Sequence, residues 1–285
     1  MKKFVIFIWV ICFMAISLIA HEYTVEKKED IQKTLKFGDP RKAREVVVDN
    51  IFGAITVEGT NGQDVILIAH KTIKARSQDR IQKAMEEIKL DIAEKGNTVD
   101  VYVDGPFRCH DRRGKSNWRD PGYEVQYDFE LKVPFKTNLD LSTVNEGDIL
   151  VKDVEGAFEI NNVNGEIKMV DVAGSGEAQT VNGRVRVAFK RAPNGNCSFN
   201  TVNGEVELSF PENLSADFRV KTLNGDVYSD FPVTVLPAAA AIKEQSKGKF
   251  VYKSDRFFGV RTGHGGPEIK LDTLNGNILI KKRTA

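Results

Sequence analysis

The sequence predicts an all-β fold: a single-stranded parallel β-solenoid, similar to a β-helix, with one N-terminal amphipathic helix covering its first coils. A four-residue segment, Thr-Val-Asn-Gly or a close variant, recurs in the second half of the chain, and apolar residues alternate with polar ones beside it. Because this period of two is not helical, each alternating stretch indicates a half-buried strand. The predicted structural repeat corners are Asn164, Gly165, Asn182, Gly183, Asn203, Gly204, Asn224, Gly225, Asn275 and Gly276.

The spacing of the corner glycines indicates the length of one coil. It is 18 residues from Gly147 to Gly165 and from Gly165 to Gly183, and 21 residues from Gly183 to Gly204 and from Gly204 to Gly225. Parallel strands stack about 4.8 Å apart, so we expect successive coils to place equivalent residues directly above one another. A meander of antiparallel hairpins is the alternative, because Asn-Gly between apolar runs is also a strong hairpin signal.

Four apolar columns are expected to fill the interior, at the positions seven, five and two before each corner glycine and two after it. For the corner at Gly204 these residues are Cys197, Phe199, Val202 and Val206. The glycine is expected to adopt a positive φ, since it has no Cβ to clash, and asparagine tolerates the left-handed region better than most residues. Each Asn-Gly pair would then bend the chain at the same place in every coil.

The chain before the regular coils divides into three parts. Residues 1–20 have the basic start, apolar run and small-residue exit of a secretory signal peptide, with an uncleaved N-terminal anchor as the alternative. Residues 21–45 are mostly polar and predict an exposed leader. Residues 46–138 predict N-terminal degenerate coils.

One amphipathic helix is predicted within those coils, over residues 77–94, with Ser77 as its N-cap. Its apolar residues recur at helical spacing; they are Ile81, Met85, Ile88 and Ile92. The helix would cover the open end of the first coils, where an exposed strand edge would otherwise recruit other strands. The regular coils are expected over 139–285, with a surface excursion near 232–249.

The balance of charges bears on the binding partners of the protein, and the cysteines bear on a possible disulfide. The chain has 41 basic and 40 acidic residues and a net charge of +1, so no nucleic-acid partner is expected. A membrane contact is expected only through an uncleaved N-terminal segment. Cys109 and Cys197 either pair in an oxidising compartment, or Cys197 is simply a small buried hydrophobic residue.

The stretch from Thr201 to Val206, and the stretch from Gly265 through Asn275 to Ile278, resemble a putative-adhesin family of bacterial cell-envelope proteins. This is a domain family of unknown function. The resemblance covers about residues 45–280 and is strongest from 139 onward. It implies a parallel β-helix in an exported protein of the periplasm, cell surface or extracellular space, and it brings no catalytic residue set.

We therefore predict a non-enzymatic envelope protein, adhesin-like or a scaffold, whose rigid wall binds a glycan, an envelope polymer or a protein. One alternative is a β-helical polysaccharide lyase or hydrolase. Its carboxylates would come from the column Asp148, Glu166, Glu205 and Asp226. A second alternative is an accessory of envelope-stress sensing.

A loop over residues 104–122 is the speculative ligand site. Arg108, Arg112, Arg113 and Trp118 combine cations with an aromatic face, which suits an acidic glycan or anionic polymer. An ordinary solvated loop is the alternative. No cofactor and no metal are expected, because the histidines lack metal-ligand spacing; those within the domain are His70, His110 and His264.

Overall fold

The computed structural model describes residues 23–108, 120–237, 242–246, 249–253 and 257–283. These residues form 23 strands and one helix, arranged as two large sheets and a separate two-stranded hairpin. No helix in these ranges is long and apolar enough to cross a membrane.

The N-terminal part contains seven strands and the helix. In chain order its elements are β1 (Val25–Leu35), β2 (Glu45–Asp49), β3 (Ile55–Thr60), β4 (Val65–Ala75), α1 (Gln78–Glu87), β5 (Lys89–Lys95), β6 (Thr98–Asp104) and β7 (Tyr123–Pro134).

The remaining strands are shorter and more regular. They are β8 (Asn138–Ser142), β9 (Ile149–Lys152), β10 (Phe158–Asn161), β11 (Ile167–Val172), β12 (Gly176–Gln179), β13 (Val185–Phe189), β14 (Cys197–Asn203), β15 (Val206–Phe210), β16 (Ala216–Asn224), β17 (Val227–Ser229), β18 (Thr234–Val235), β19 (Ile242–Ser246), β20 (Lys249–Lys253), β21 (Phe258–Thr262), β22 (Glu268–Asn275) and β23 (Ile278–Lys282).

The two large sheets are mixed. Sheet A has the order β1-β4-β7-β3-β9-β11-β13-β15-β23-β17, and sheet B has the order β18-β21-β16-β22-β14-β12-β10-β8-β2-β6-β5. Neighbours from β7 to β17 and from β16 to β6 are parallel, whereas β1 and β4 at one end of sheet A, and β5, β18 and β21 at the ends of sheet B, pair antiparallel. The prediction of an all-β fold is confirmed. The expectation of a purely parallel arrangement is wrong, because antiparallel strands cover edges that would otherwise be open.

A strand of sheet B, the corner after it and the next strand of sheet A form a repeating unit, which we call a rung. Equivalent residues of neighbouring rungs pair with one another, as Val185 does with Ile167 on one side and with Val206 on the other. Ala178 likewise pairs with Phe199 in sheet B. The apolar residues of these strands point between the two sheets, where they form the core.

The rungs do not follow chain order. The last rung in the chain, β22 with β23, lies between the rung of β14 and the rung of β16. After β17 the chain returns as β21, antiparallel to β16, and then crosses to the opposite side of β16. Gly263 and Gly265 make this crossing with φ of 58° and 77°. Stacking in chain order is therefore wrong for the last two rungs.

The N-terminal region departs from the sequence prediction in two places. The helix ends at Glu87 rather than residue 94, because Leu90 and Ile92 continue with the period of a strand and belong to β5. Within the predicted leader, β1 pairs along its whole length with β4, although most of its side chains are exposed. The helix buries Ile81 and Ala84 beside β4, β7 and β1.

The corner glycines are required for close backbone packing. Their φ angles are not positive, so the expectation of a left-handed Gly204 is wrong. A Cβ on Gly204 would instead lie 1.8 Å from the carbonyl oxygen of Gly183, and a Cβ on Gly183 would lie 2.0 Å from that of Gly165. Positive φ angles do occur nearby, at Glu146 and at Gly53 in the corner of the first rung, with values of 58° and 114°.

The corner threonine holds the stacked glycines together. Thr201 is buried, and its hydroxyl donates a hydrogen bond of 2.9 Å to the Gly183 carbonyl of the neighbouring rung. The same bond recurs in four other rungs, where it joins Thr143 to Gly53, Thr180 to Gly165, Thr273 to Gly204 and Thr222 to Gly276, and in the rung of β10 Asn162 takes the place of the threonine and donates to Gly147. Each inward threonine thus satisfies a carbonyl that faces the interior.

We expect the substitution Gly204→Ala to lower the free energy of unfolding by about 2 kcal/mol, because the new methyl group overlaps a backbone atom that cannot move alone. For a domain of this size, that loss corresponds to a melting temperature roughly 4–8 °C lower. Gly62→Ala is the matched control, since its Cβ would meet first the Thr60 side-chain oxygen at 3.2 Å. Equal melting temperatures for Gly204→Ala and the parent protein would contradict close glycine stacking.

Candidate functional site

One of the four predicted apolar columns lies on the surface. The position two before each corner glycine was expected inside, but Val181, Val202, Leu274 and Leu223 are 39%, 38%, 43% and 62% exposed. The physical reason is the inward threonine before each of them, which is buried at Thr180, Thr201 and Thr273 and half-buried at Thr222. Because neighbouring residues of a strand point to opposite faces, an inward threonine turns the next residue outward.

This exposed apolar column forms one wall of a groove of about 900 Å³. Its members follow the rung order Val163, Val181, Val202, Leu274, Leu223, and Val163 at one end is half-buried. Five rungs at about 4.8 Å give a column about 19 Å long. A continuous apolar strip of this kind on a soluble surface is typical of an interaction site.

The other wall of the groove is polar. It consists of the residues four before each corner glycine, in the order Asn161, Gln179, Asn200, Asp272 and Lys221. The Gln179 amide donates to the Asn161 side-chain oxygen at 2.7 Å, and the Lys221 ammonium pairs with Asp272 at 3.1 Å. The wall therefore presents amides and one internally neutralised ion pair, with no net charge.

A ladder of asparagine side chains follows the apolar column. In the order Asn145, Asn164, Asn182, Asn203, Asn275 and Asn224, each asparagine after the first donates from its Nδ2 to the Oδ1 of the one before it, at 2.7 or 2.8 Å. A primary amide has two donor hydrogens and two acceptor lone pairs, so each member of the ladder keeps further hydrogen-bonding capacity. The asparagines of the predicted corners thus join one exposed polar row.

The predicted ligand loop is only partly described. Arg112, Arg113 and Trp118 lie outside the described residues. The guanidinium of Arg108 donates to the Asp49 carboxylate at 2.8 Å and to the carbonyl oxygens of Asp49 and Val103. It also lies 4.3 Å above the Tyr102 ring. Arg108 therefore anchors the start of the loop to sheet B instead of facing a ligand.

The carboxylate column proposed for an enzyme is not a converging set. Glu166 pairs with the Arg186 guanidinium at 2.6 Å, and Arg184 separates Glu166 from Glu205 in the rung order. Asn277, rather than Asp226, neighbours Glu205. Within the described ranges, no group of three or more His, Cys, Asp or Glu side chains is placed to hold a metal ion.

His70 and Cys197 stand apart from the groove. Hydrogen bonding to Asp30 at 2.8 Å raises the pKa of His70 on the outer face of sheet A. Cys197 is a free, buried thiol between the sheets, and burial raises its pKa to about 11. Cys109, its partner in the disulfide alternative, and His110 lie outside the described residues.

Sequence reasoning missed the polar wall, although a signal for it was present. Asn161, Gln179 and Asn200 recur at one position of the repeat, where a plain solvated surface would carry unrelated charged residues. Continuing the alternation from the buried positions seven and five before the glycine also predicts an inward threonine and an outward Val202. The recurring amides and the continued alternation together predict the two walls of the groove.

The chain was compared with known proteins. Among solved structures, a putative cell adhesion protein from Clostridium sporogenes is 12% identical, with 90% of this chain and 100% of that chain covered and a TM-score of 0.39. A putative adhesin from Bacteroides fragilis is 13% identical, with 90% and 97% covered and a TM-score of 0.39. A putative lipid binding protein from Parabacteroides distasonis is 13% identical, with the same coverage and a TM-score of 0.28.

None of the curated proteins matches the chain. A family model described as Toastrack DUF4097 matches residues 30–281, which is most of the sequence. The chain therefore belongs to the Toastrack DUF4097 family.

Proposed function

We propose that this protein is a non-catalytic, adhesin-like binding protein of the bacterial envelope, and that its groove takes an uncharged linear polysaccharide. The observation that carries the proposal is the apolar column of half-buried Val163 and exposed Val181, Val202, Leu274 and Leu223, opposite a wall of amides and one ion pair. Binding sites typically combine an apolar surface with a few polar groups that orient the ligand. The groove has this composition along its whole length.

The repetition within the groove favours a polymer with a repeating unit. Each rung presents the same kinds of group, an amide or ion-paired side chain on one wall and Val or Leu on the other. Neighbouring rungs are about 4.8 Å apart. A peptide ligand would place a different side chain at every rung. A linear polysaccharide instead offers similar C–H faces and hydroxyl edges to each rung.

The charge of the groove favours a neutral ligand. Lys221 and Asp272 neutralise each other, and Asn161, Gln179 and Asn200 carry no charge. Amides donate and accept hydrogen bonds, which suits hydroxyl groups. An anionic polymer would gain no ion pair in this groove.

We expect Val202→Asp to weaken binding to a preferred neutral polysaccharide at least tenfold. Burying one valine side chain against a ligand contributes roughly 1.5–3 kcal/mol, and about 1.4 kcal/mol corresponds to a factor of ten. Binding is measured by affinity electrophoresis and calorimetry against a panel of cellulose, amylose and chitin oligomers. Val235→Asp is the matched control, since Val235 is 70% exposed and lies outside the groove.

Two results would contradict the proposed ligand class. One is that no uncharged polysaccharide binds the folded protein. The other is that Val202→Asp and Val235→Asp bind a positive panel member equally well. Release of reducing ends on incubation, lost in Glu166→Gln or Glu205→Gln, would instead support a glycan-cleaving enzyme.

We also propose that the chain is exported and that residues 1–20 are removed. The support is the basic start, the apolar run and the small residue Ala20 in the sequence. Expression of the full chain in a bacterial host should yield an envelope or extracellular product whose first residue is His21, as determined by fractionation and intact mass. A product that stays in the cytoplasm at full length would contradict export.

A further inference from the structure

A second groove runs along the opposite corners of the rungs, where strands of sheet A return to sheet B. Its volume is about 760 Å³. It is lined by residues from the stretches 43–44, 136–138, 155–157, 173–175 and 191–194. The lining residues thus come from five successive rungs, those of β2, β8, β10, β12 and β14.

Small residues occupy the middle of this groove. They are Gly156, Ala157, Ala173, Gly174 and Ser175. A Cβ on Gly174 would lie 2.0 Å from the Gly156 carbonyl oxygen, so the rungs stack backbone to backbone here as well. The absence of long side chains at these five positions lets an incoming chain approach the protein backbone.

Cations lie at both ends of the groove. Arg44 precedes β2 and Arg191 precedes β14, four strand spacings away, or about 19 Å. Lys136 adds a third cation near the Arg44 end. Arg191 pairs with Glu155 at 2.9 Å, whereas among the described residues Arg44 and Lys136 form no ion pair.

One of these cations also has unused hydrogen-bonding capacity. The Arg44 guanidinium donates from Nη2 to the Gln63 side-chain oxygen at 2.7 Å and lies over the Phe37 ring. Its Nε is buried and has no hydrogen-bond partner. Because Nε is shielded from solvent, a ligand acceptor in the groove would meet the outer N–H groups of the guanidinium.

We propose that this second groove binds a linear polymer that carries anionic phosphate or carboxylate groups. Three cations and one carboxylate line it, so it attracts negative charge, in contrast to the neutral groove at the other corner. Guanidinium groups hold phosphate and carboxylate through paired, charge-assisted hydrogen bonds. The small residues let the polymer backbone span the distance between the cations.

This site is distinct from the neutral groove and does not depend on the polysaccharide proposed for it. The two grooves lie at opposite corners and share no lining residue. A protein with both would hold two chemically different envelope polymers, or two parts of one polymer, along parallel lines.

The test measures binding of the full exported chain to inorganic polyphosphate and to polygalacturonate, with dextran as the uncharged control. Calorimetry and fluorescence anisotropy are performed at low and high salt. We expect at least one polyanion to bind, and binding to weaken with salt because the charges are exposed. The probe that binds distinguishes a phosphate ligand from a carboxylate ligand.

Three substitutions locate the binding. Lys136→Glu should weaken it at least tenfold, and Lys168→Glu, the same charge change on the outer face of sheet A, should leave it unchanged. Glu155→Gln should strengthen it, because Glu155 competes with the polymer for Arg191. Val202→Asp should have no effect, which separates this proposal from that for the neutral groove.

Several outcomes would overturn the proposal. The first is that neither polyanion binds. The second is that Lys136→Glu and Lys168→Glu weaken binding equally. The third is that Glu155→Gln does not strengthen binding although the melting temperature of this variant is unchanged. Binding to anionic lipid vesicles without binding to either free polymer would also overturn it.

Discussion

Backbone contact between corner glycines is the constraint on which the rest of this structure depends. The carbonyl oxygen of Gly183 occupies the space where a Cβ of Gly204 would be, at 1.8 Å, and similar contacts recur from rung to rung. This approach brings each corner carbonyl within reach of a threonine hydroxyl from the next rung. The threonine must then point inward, and the residue after it must point outward. An exposed apolar column is therefore a consequence of how the rungs stack.

The same stacking accounts for the regular surface chemistry. Equivalent side chains lie at one level about 4.8 Å apart, so any residue type repeated in the sequence becomes a continuous row. Asparagines at the corners become a hydrogen-bonded ladder, and valines and leucines become an apolar strip. Like charges placed this way would repel. Amides and apolar groups repeat without that cost, so the groove at this corner carries no net charge.

The opposite corner shows that one fold presents two different surfaces. There the contacts between rungs again pass through glycine, as between Gly174 and Gly156, but the charged side chains around them are three cations and one carboxylate. The loops at this corner vary in length because the spacing between corner glycines changes from 18 to 21 residues. The variation in length is therefore concentrated at one corner, while the other corner keeps its repeat.

Much of this architecture was predictable from the sequence, and the errors have specific causes. Strand alternation located Phe199 and Val206 in the core, because apolar period two is a local property. Val202 was misplaced because its apolar character was given more weight than the alternation around it. The prediction of a positive φ at Gly204 was wrong because glycine is also needed where another part of the backbone approaches closely. The sequence of a single rung does not indicate such an approach.

The order of the rungs was not predictable from spacing alone. Each corner matches every other corner, so the sequence does not show that β22 lies between β14 and β16. That order depends on β21, which covers the outer edge of β16, and on the tight turn at Gly263 and Gly265. The groove proposed here needs this order, since Leu274 completes the apolar column between Val202 and Leu223.

Disulfide trapping between engineered cysteines tests this stacking most directly, in a background where Cys12 and Cys109 are replaced by serine. Val202 and Leu274 lie on paired strands, between the partners Thr201 and Thr273 and the partners Asn203 and Asn275. A Cα separation of about 4.8 Å permits a disulfide, whereas two strand spacings, about 9.6 Å, do not. The pair Val202→Cys and Leu274→Cys should therefore cross-link rapidly under mild oxidation, and the pair Val202→Cys and Leu223→Cys should not. The reverse result would contradict the rung order and the continuous groove.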